Sequence, residues 1–286
     1  MKEIVFVSGK GGTGKSTIVA SLAMMVKDKM IADCDVDAPN LHILLDGDVV
    51  ETIDYYGAKE AFIDEKKCTA CGLCRETCRF DAISSDFAVS PFKCEGCGAC
   101  TLVCPTGAIT LKEVKTGETY ISDTRYGTFS HALLDIGAEG SGKLVTQVRK
   151  NASRNKKGEK LILIDGSPGT GCVVIASLTG ADAAVVVTEP TMSGLSDLKR
   201  ILAVAKHFGI PGYVCINKYD LNEDITTEIG KFCREENYRI IGMIPFEPGI
   251  VKALQEFKAP PQAGLDDVTA RIAELWEKLV EEIDRI

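Results

Sequence analysis

Ile4-Val5-Phe6-Val7-Ser8-Gly9-Lys10-Gly11-Gly12-Thr13-Gly14-Lys15-Ser16-Thr17 is the stretch on which the fold turns. Its four leading apolar residues predict a short buried strand. From Gly9 to Ser16 it fits G-x-x-x-x-G-K-[ST], and a helical pattern runs from Lys15 to about Lys27. The chemistry behind that spacing is phosphate binding. Glycines let the backbone curl until several N–H groups face one anion, and the helix that follows turns its positive end to the same charge. Lys15 supplies a point charge for the β- and γ-phosphates, and the Ser16 hydroxyl is a Mg²⁺ ligand.

Working outward, Ile31-Ala32-Asp33 reads as the end of a second buried strand. Leu161–Ile164, Ala184–Val187 and Tyr213–Ile216 are further unbroken apolar runs. A helix is predicted to start near Ser141, and an amphipathic stretch runs from Val268 to Ile286. Continuous apolar strands separated by helical patterns predict an α/β class chain with a doubly wound, mostly parallel sheet covered on both faces. Between residues 54 and 123 the character changes to a cysteine-rich, glycine-studded segment. The domain reading is therefore 1–53 with 124–286 as one α/β domain, and 54–123 as an insert.

The insert repeats itself. Cys68, Cys71, Cys74, Cys78, Ala82 and Ile83 recur 26 positions later as Cys94, Cys97, Cys100, Cys104, Ala108 and Ile109. Both runs fit C-x₂-C-x₂-C-x₃-C, in which three thiolates grip one iron–sulfur cubane and the fourth ligand comes from the other run. The first cluster takes Cys68, Cys71, Cys74 and Cys104. The second takes Cys94, Cys97, Cys100 and Cys78. Zinc is the rival reading, but its sites pair two C-x₂-C knuckles rather than two runs of four. Arg79 stands where such runs carry proline after the last cysteine. The segment resembles two-cluster ferredoxins over about residues 60–115, which implies two 4Fe-4S clusters and electron transfer.

Lys10 adds a second lysine to the phosphate loop, and Lys10 through Thr17 resembles the deviant Walker A motif of the MinD/ParA/Mrp ATPases. The resemblance implies a P-loop NTPase fold carrying an inserted ferredoxin domain. It also implies ATP/ADP and Mg²⁺ as ligands, and a nucleotide-dependent homodimer, or heterodimer with a similar chain, in which Lys10 reaches the partner's nucleotide. Gly9, Lys10, Gly11, Gly12, Thr13, Gly14, Lys15, Ser16 and Thr17 would bind nucleotide, with Lys10, Lys15 and Asp35 catalytic. Asp33-Cys34-Asp35 resembles switch I, where Asp35 would orient the attacking water; Asp37 leaves the division of roles among these acids open. Asp165-Gly166-Ser167-Pro168-Gly169 resembles Walker B with switch II, and Asp165 would hold Mg²⁺ through a water. An aspartate at a strand end also serves as a helix cap. Asn217-Lys218-Tyr219-Asp220 reads either as a guanine motif or as an adenine-binding Asn217; the deviant loop favours ATP.

The chain has 286 residues, 45% hydrophobic and 26% charged, with net charge −8. No Lys/Arg cluster forms a face for nucleic acid, and Arg154 to Lys160 reads as a solvated loop. No run reaches the ~18–20 apolar residues of a membrane span. In the last helix Glu274, Glu277, Glu281, Glu282 and Asp284 stand against Arg271, Lys278 and Arg285, which disfavours an anionic bilayer. A cytoplasmic protein is expected, so its twelve cysteines read as metal ligands rather than disulfides. Cys215 reads as core, and a redox role is open for Cys34 and Cys172. His42, His131 and His207 receive no role. These readings favour an ATP-hydrolysing protein that couples dimerisation to electron transfer with a redox partner. A ParA/MinD-like spatial organiser and a metalloenzyme maturation factor are the alternatives. No C-x₂-C pair lies outside the insert, which counts against an Mrp-type cluster scaffold.

Overall fold

The computed structural model describes residues 1–155 and 157–284. In chain order the strands are β1 (Lys2–Ser8), β2 (Lys29–Cys34), β3 (Gly47–Ile63), β4 (Ile109–Thr124), β5 (Gly127–Leu134), β6 (Leu161–Pro168), β7 (Ala183–Thr188), β8 (Gly212–Asn217) and β9 (Arg239–Ile244). The α-helices are α1 (Lys15–Met25), α2 (Leu41–Leu45), α3 (Leu73–Thr77), α4 (Ala99–Val103), α5 (Gly142–Arg154), α6 (Cys172–Leu178), α7 (Met192–His207), α8 (Glu223–Glu235), α9 (Gly249–Gln255) and α10 (Asp266–Ile283).

The strands lie in the order β3-β4-β5-β2-β6-β1-β7-β8-β9. From β5 through β9 every neighbouring pair is parallel. Two residues separate β4 from β5, so there the chain turns back on itself and the sheet is mixed. Every residue of β2 and β7 is buried, which alternating side chains achieve only when both faces are covered. Helix α1 contacts both α2 and α10, and α5 contacts α6 as α7 contacts α8. The apolar runs of the sequence thus become the central strands.

The chain divides into two compact units: Met1–Ile53, Thr119–Leu133 and the chain from Gly140 on, against Asp54–Glu118 with Leu134–Glu139. The sequence put the return to the first unit at 124; it falls at Thr119, and six later residues join the second unit. The reason is that β4 runs unbroken through that point, so no composition change marks it. In β3 most residues are exposed, which left no apolar alternation to read. Ser141 caps α5, its Oγ accepting from the Leu144 N–H at 3.3 Å. Along α10, Ile272, Leu275, Leu279 and Ile283 are buried in the core with Trp276 packed beside them. The expected helix reached Ile286; Arg285 and Ile286 lie outside the described residues, as does Lys156 of the expected loop. Among the described residues no helix is long and apolar enough to cross a membrane.

The second unit preserves the internal repeat as geometry. α3 and α4 are single turns opened by left-handed glycines, Gly72 at φ +82° and Gly98 at φ +78°. Each ends at an extended cysteine, Cys78 and Cys104. Ala61, Cys74, Ile83, Cys100 and Ile109 form this unit's small core.

Candidate functional site

Parallel strands deliver their carboxyl ends to one edge of the sheet, and β1, β2 and β6 bring three motifs together there. Register sets Asp33 of β2 beside Asp165 of β6, and Phe6 of β1 beside Asp165 on its other flank. The loop after β1 is shaped by close packing. A Cβ on Gly14, which sits at φ +88°, would stand 2.3 Å from Asn217 Nδ2. A Cβ on Gly9 would stand 2.1 Å from Asp197 Cβ. Gly11 through Thr17 line a cavity of about 670 Å³, together with Asp35, Asn217 and the apolar side chains of Ile43, Phe246 and Leu254.

Lys15 is the buried cation of this edge, 4% exposed. Its Nζ lies 2.5 Å from Asp165 Oδ1, 3.6 Å from Asp35 Oδ2 and 3.5 Å from Ser16 Oγ. Burial opposes its charge, but the Asp165 and Asp35 carboxylates outweigh that and hold Lys15 above its ordinary pKa. Burial raises Asp35, against the pull of Lys15. Burial and then the Asp165 carboxylate also push Asp33 well above the usual carboxyl range. Asp33 braces the segment after β2: the Asp35 N–H donates to Oδ1 at 3.0 Å and the Leu41 N–H to Oδ2 at 3.2 Å. Ser167 Oγ–H donates to the Cys34 carbonyl at 2.6 Å, tying the segment after β6 to that after β2. Two buried oxygens here, Asp165 Oδ2 and Thr13 Oγ1, have no protein partner. Asp37 is drawn elsewhere, its Oδ1 accepting from the Gly140 N–H at 2.8 Å.

Asn217 donates from Nδ2 to the Thr13 carbonyl at 2.7 Å, so its amide grips the phosphate loop. Lys218, left-handed at φ +55°, reaches the Gly12 carbonyl at 3.1 Å and Glu189 Oε1 at 3.0 Å. Glu189 Oε2 also lies 3.5 Å from Lys10 Nζ, whose side chain is 39% exposed. The bracing roles of Asp33, Lys218 and Glu189 escaped the sequence reading. Lys218 lay inside a quoted motif, whereas nothing in sequence links Glu189, at the end of β7, to the loop after β1.

In the second unit the cysteines collect in two cavities. One is lined by Cys68, Cys71, Cys74 and Cys104; the other by Cys78, Cys94, Cys97 and Cys100. Backbone N–H groups donate to sulfur at Cys68, Cys94 and Cys104 over 3.3–3.4 Å. Among the described residues no three His, Cys, Asp or Glu side chains converge closely enough to hold a single metal ion. The expectation of two clusters therefore rests on the cysteine spacing and these two linings. Cys34 and Cys215 are fully buried, and burial raises both thiols, Cys215 to about 12. Protonated, inaccessible thiols do not act as nucleophiles, so the redox role left open for Cys34 is withdrawn. Cys172 is exposed at the start of α6.

A family model, the CobQ/CobB/MinD/ParA nucleotide binding domain, matches residues 4–260. The uncharacterized protein MJ0578 of Methanocaldococcus jannaschii is 33% identical over 283 residues, 98% of this chain and 96% of that protein. Among solved structures, the cell division ATPase MinD of Pyrococcus furiosus superposes with a TM-score of 0.61 at 20% identity, covering 98% of each chain. The septum site-determining protein MinD of Pyrococcus horikoshii, solved with Mg-ADP, gives 0.60 at 19% identity over 97% of this chain and 95% of its own. At these identities the two structures show a shared fold.

Proposed function

Because this chain belongs to the CobQ/CobB/MinD/ParA nucleotide-binding family, we propose that it hydrolyses ATP and that its nucleotide state governs pairing with a second copy or a similar chain. The observation that carries this reading is Lys15, a buried cation at the phosphate loop, beside the unpartnered Asp165 Oδ2 and Thr13 Oγ1. Lys15 exchanges Asp165 for the β- and γ-phosphates while the N–H groups of the loop from Gly11 to Gly14 cradle the same anion. Ser16 and the freed Asp165 carboxylate would hold Mg²⁺, which offsets phosphate charge when bound. Asp35 positions a water for attack on the γ-phosphorus; the bond to the β–γ bridging oxygen breaks and ADP leaves. Asn217 holds the loop through Thr13 and, lining the same cavity, would contact the base. Lys10 would serve the partner's nucleotide once released from Glu189.

The MinD and ParA likenesses support a nucleotide-switched organiser of the ParA/MinD kind. Size-exclusion chromatography with light scattering tests it: Mg-ATP should shift the chain to a dimer, Mg-ADP should leave it monomeric, and Lys15→Ala should abolish the shift. An unchanged mass under saturating Mg-ATP overturns the switch. A second reading, a redox function on the same chain, is favoured by the crossed cysteine linings. Cys68, Cys71, Cys74 and Cys104 would hold one 4Fe-4S cluster and Cys78, Cys94, Cys97 and Cys100 another, and such clusters supply one-electron transfer when bound. The partner is then a one-electron redox protein. Iron and acid-labile sulfide counts on anaerobically purified protein test this; protein lacking both overturns it.

A further inference from the structure

The 26-residue repeat is faithful in its cysteines, but at two of the cavity-lining positions the copies differ in polarity or charge. Thr69 of the first copy corresponds to Glu95 of the second, and Phe80 corresponds to Thr106. The fourth cysteine of each run crosses over, and its neighbours cross with it. Both hydroxyl residues, Thr69 and Thr106, therefore line the cavity of Cys68, Cys71, Cys74 and Cys104. Glu95 and Phe80 line the other.

Sulfur hydrogen bonding divides the same way. In the threonine-lined cavity the Ala70 N–H donates to Cys68 Sγ at 3.4 Å and the Ala108 N–H to Cys104 Sγ at 3.3 Å. Thr106 Oγ1 stands 3.6 Å from Cys104 Sγ, and against a thiolate only the hydroxyl can donate. Among the described residues the Glu95 cavity shows one comparable bond, from the Ala61 N–H to Cys94 Sγ at 3.4 Å. Exposure does not separate the two sites: each has one buried cysteine, one exposed and two of intermediate exposure. Cluster potential is set by hydrogen bonds to sulfur, local charge and exposure. With exposure matched, the first two decide. Donors at sulfur favour the more negative, reduced state, and the charge of Glu95, exposed in the chain next to Cys94, opposes it.

Building on the cluster reading above, we infer that the two sites are redox-inequivalent: the threonine-lined site takes the first electron and the Glu95-lined site the second. Thr106 and Glu95 are the tuning residues. No bond forms or breaks: a one-electron donor is oxidised by one electron, and iron at the threonine-lined site is reduced by one.

Anaerobically reconstituted full-length chain is titrated potentiometrically and followed by EPR, with iron and sulfide counted on every sample. Wild type should show two resolved one-electron steps. Thr106→Val should move only the upper step to more negative potential, by a tenfold change in the oxidised-to-reduced ratio, which is about 59 mV for one electron. Thr106→Ser should restore it. Glu95→Gln should raise only the lower step. Full cluster content with a single wild-type step, or with steps indifferent to Thr106→Val and Glu95→Gln, overturns the inequivalence alone. Absent sulfide overturns the cluster reading beneath it.

Discussion

His131 should make the first unit acid-labile, and replacing it with phenylalanine should remove that liability. The ring is 5% exposed. It stacks on Phe129 at 4.7 Å, Tyr120 at 5.0 Å and His42 at 5.6 Å between centroids, all within 17° of coplanar. Its Nδ1 has no partner. Burial first, and then His42, lowers its pKa from 6.5 to about 4. The sign follows from the direction: below 6.5 the unfolded chain takes a proton that the folded chain refuses until about 4. Stability is therefore undiminished above 6.5 and declines as pH falls between those values. At 1.36 kcal/mol per pH unit the loss is about 2 kcal/mol by pH 5 and about 3 by pH 4. His131→Phe keeps a flat ring against Phe129 and Tyr120 but has nothing to protonate. Urea unfolding of both proteins at intervals from pH 7.5 to pH 5 measures the difference, which cancels every other titrating group. Wild type should lose about 2 kcal/mol relative to the variant across that range. Parallel losses in the two proteins would refute the argument, because the imidazole would then titrate as freely folded as unfolded.

Gly14→Ala places a Cβ 2.3 Å from Asn217 Nδ2 at φ +88°, so calorimetry should show nucleotide binding lost while circular dichroism shows the fold retained. Lys15→Met strands Asp33, Asp35 and Asp165 without their cation. It should abolish ATP binding and cost about 3–5 kcal/mol in urea unfolding near neutral pH, the usual result of breaking a buried ion pair. Cys71→Ser, at an exposed cysteine, should lower bound iron by about half on anaerobic purification while ATP affinity stays at the wild-type value.

Sequence by itself determined the parts whose physics is local. The phosphate loop is legible because an anion needs curled N–H groups and a helix N-terminus, which only a run such as Gly9–Ser16 supplies. The central strands β1, β2, β6, β7 and β8 are legible because burial on both faces demands unbroken apolar runs. The cysteine repeat is legible because its 26-residue offset is written in the sequence itself. β3 was not, since a long, mostly exposed strand carries no apolar period, and neither was β4, whose buried positions include Gly117, Thr119 and Ser122. Nor was the return point at Thr119, which lies inside one of them. Tertiary structure alone decided the rest, because pairs far apart in the chain meet only through sheet order and register. β6 beside β2 sets Asp165 against Asp33, and the close of β7 near the loop after β1 gives Glu189 to Lys10. The crossing of Cys104 and Cys78 likewise gathers two threonines at one cavity and sets Phe80 at the other.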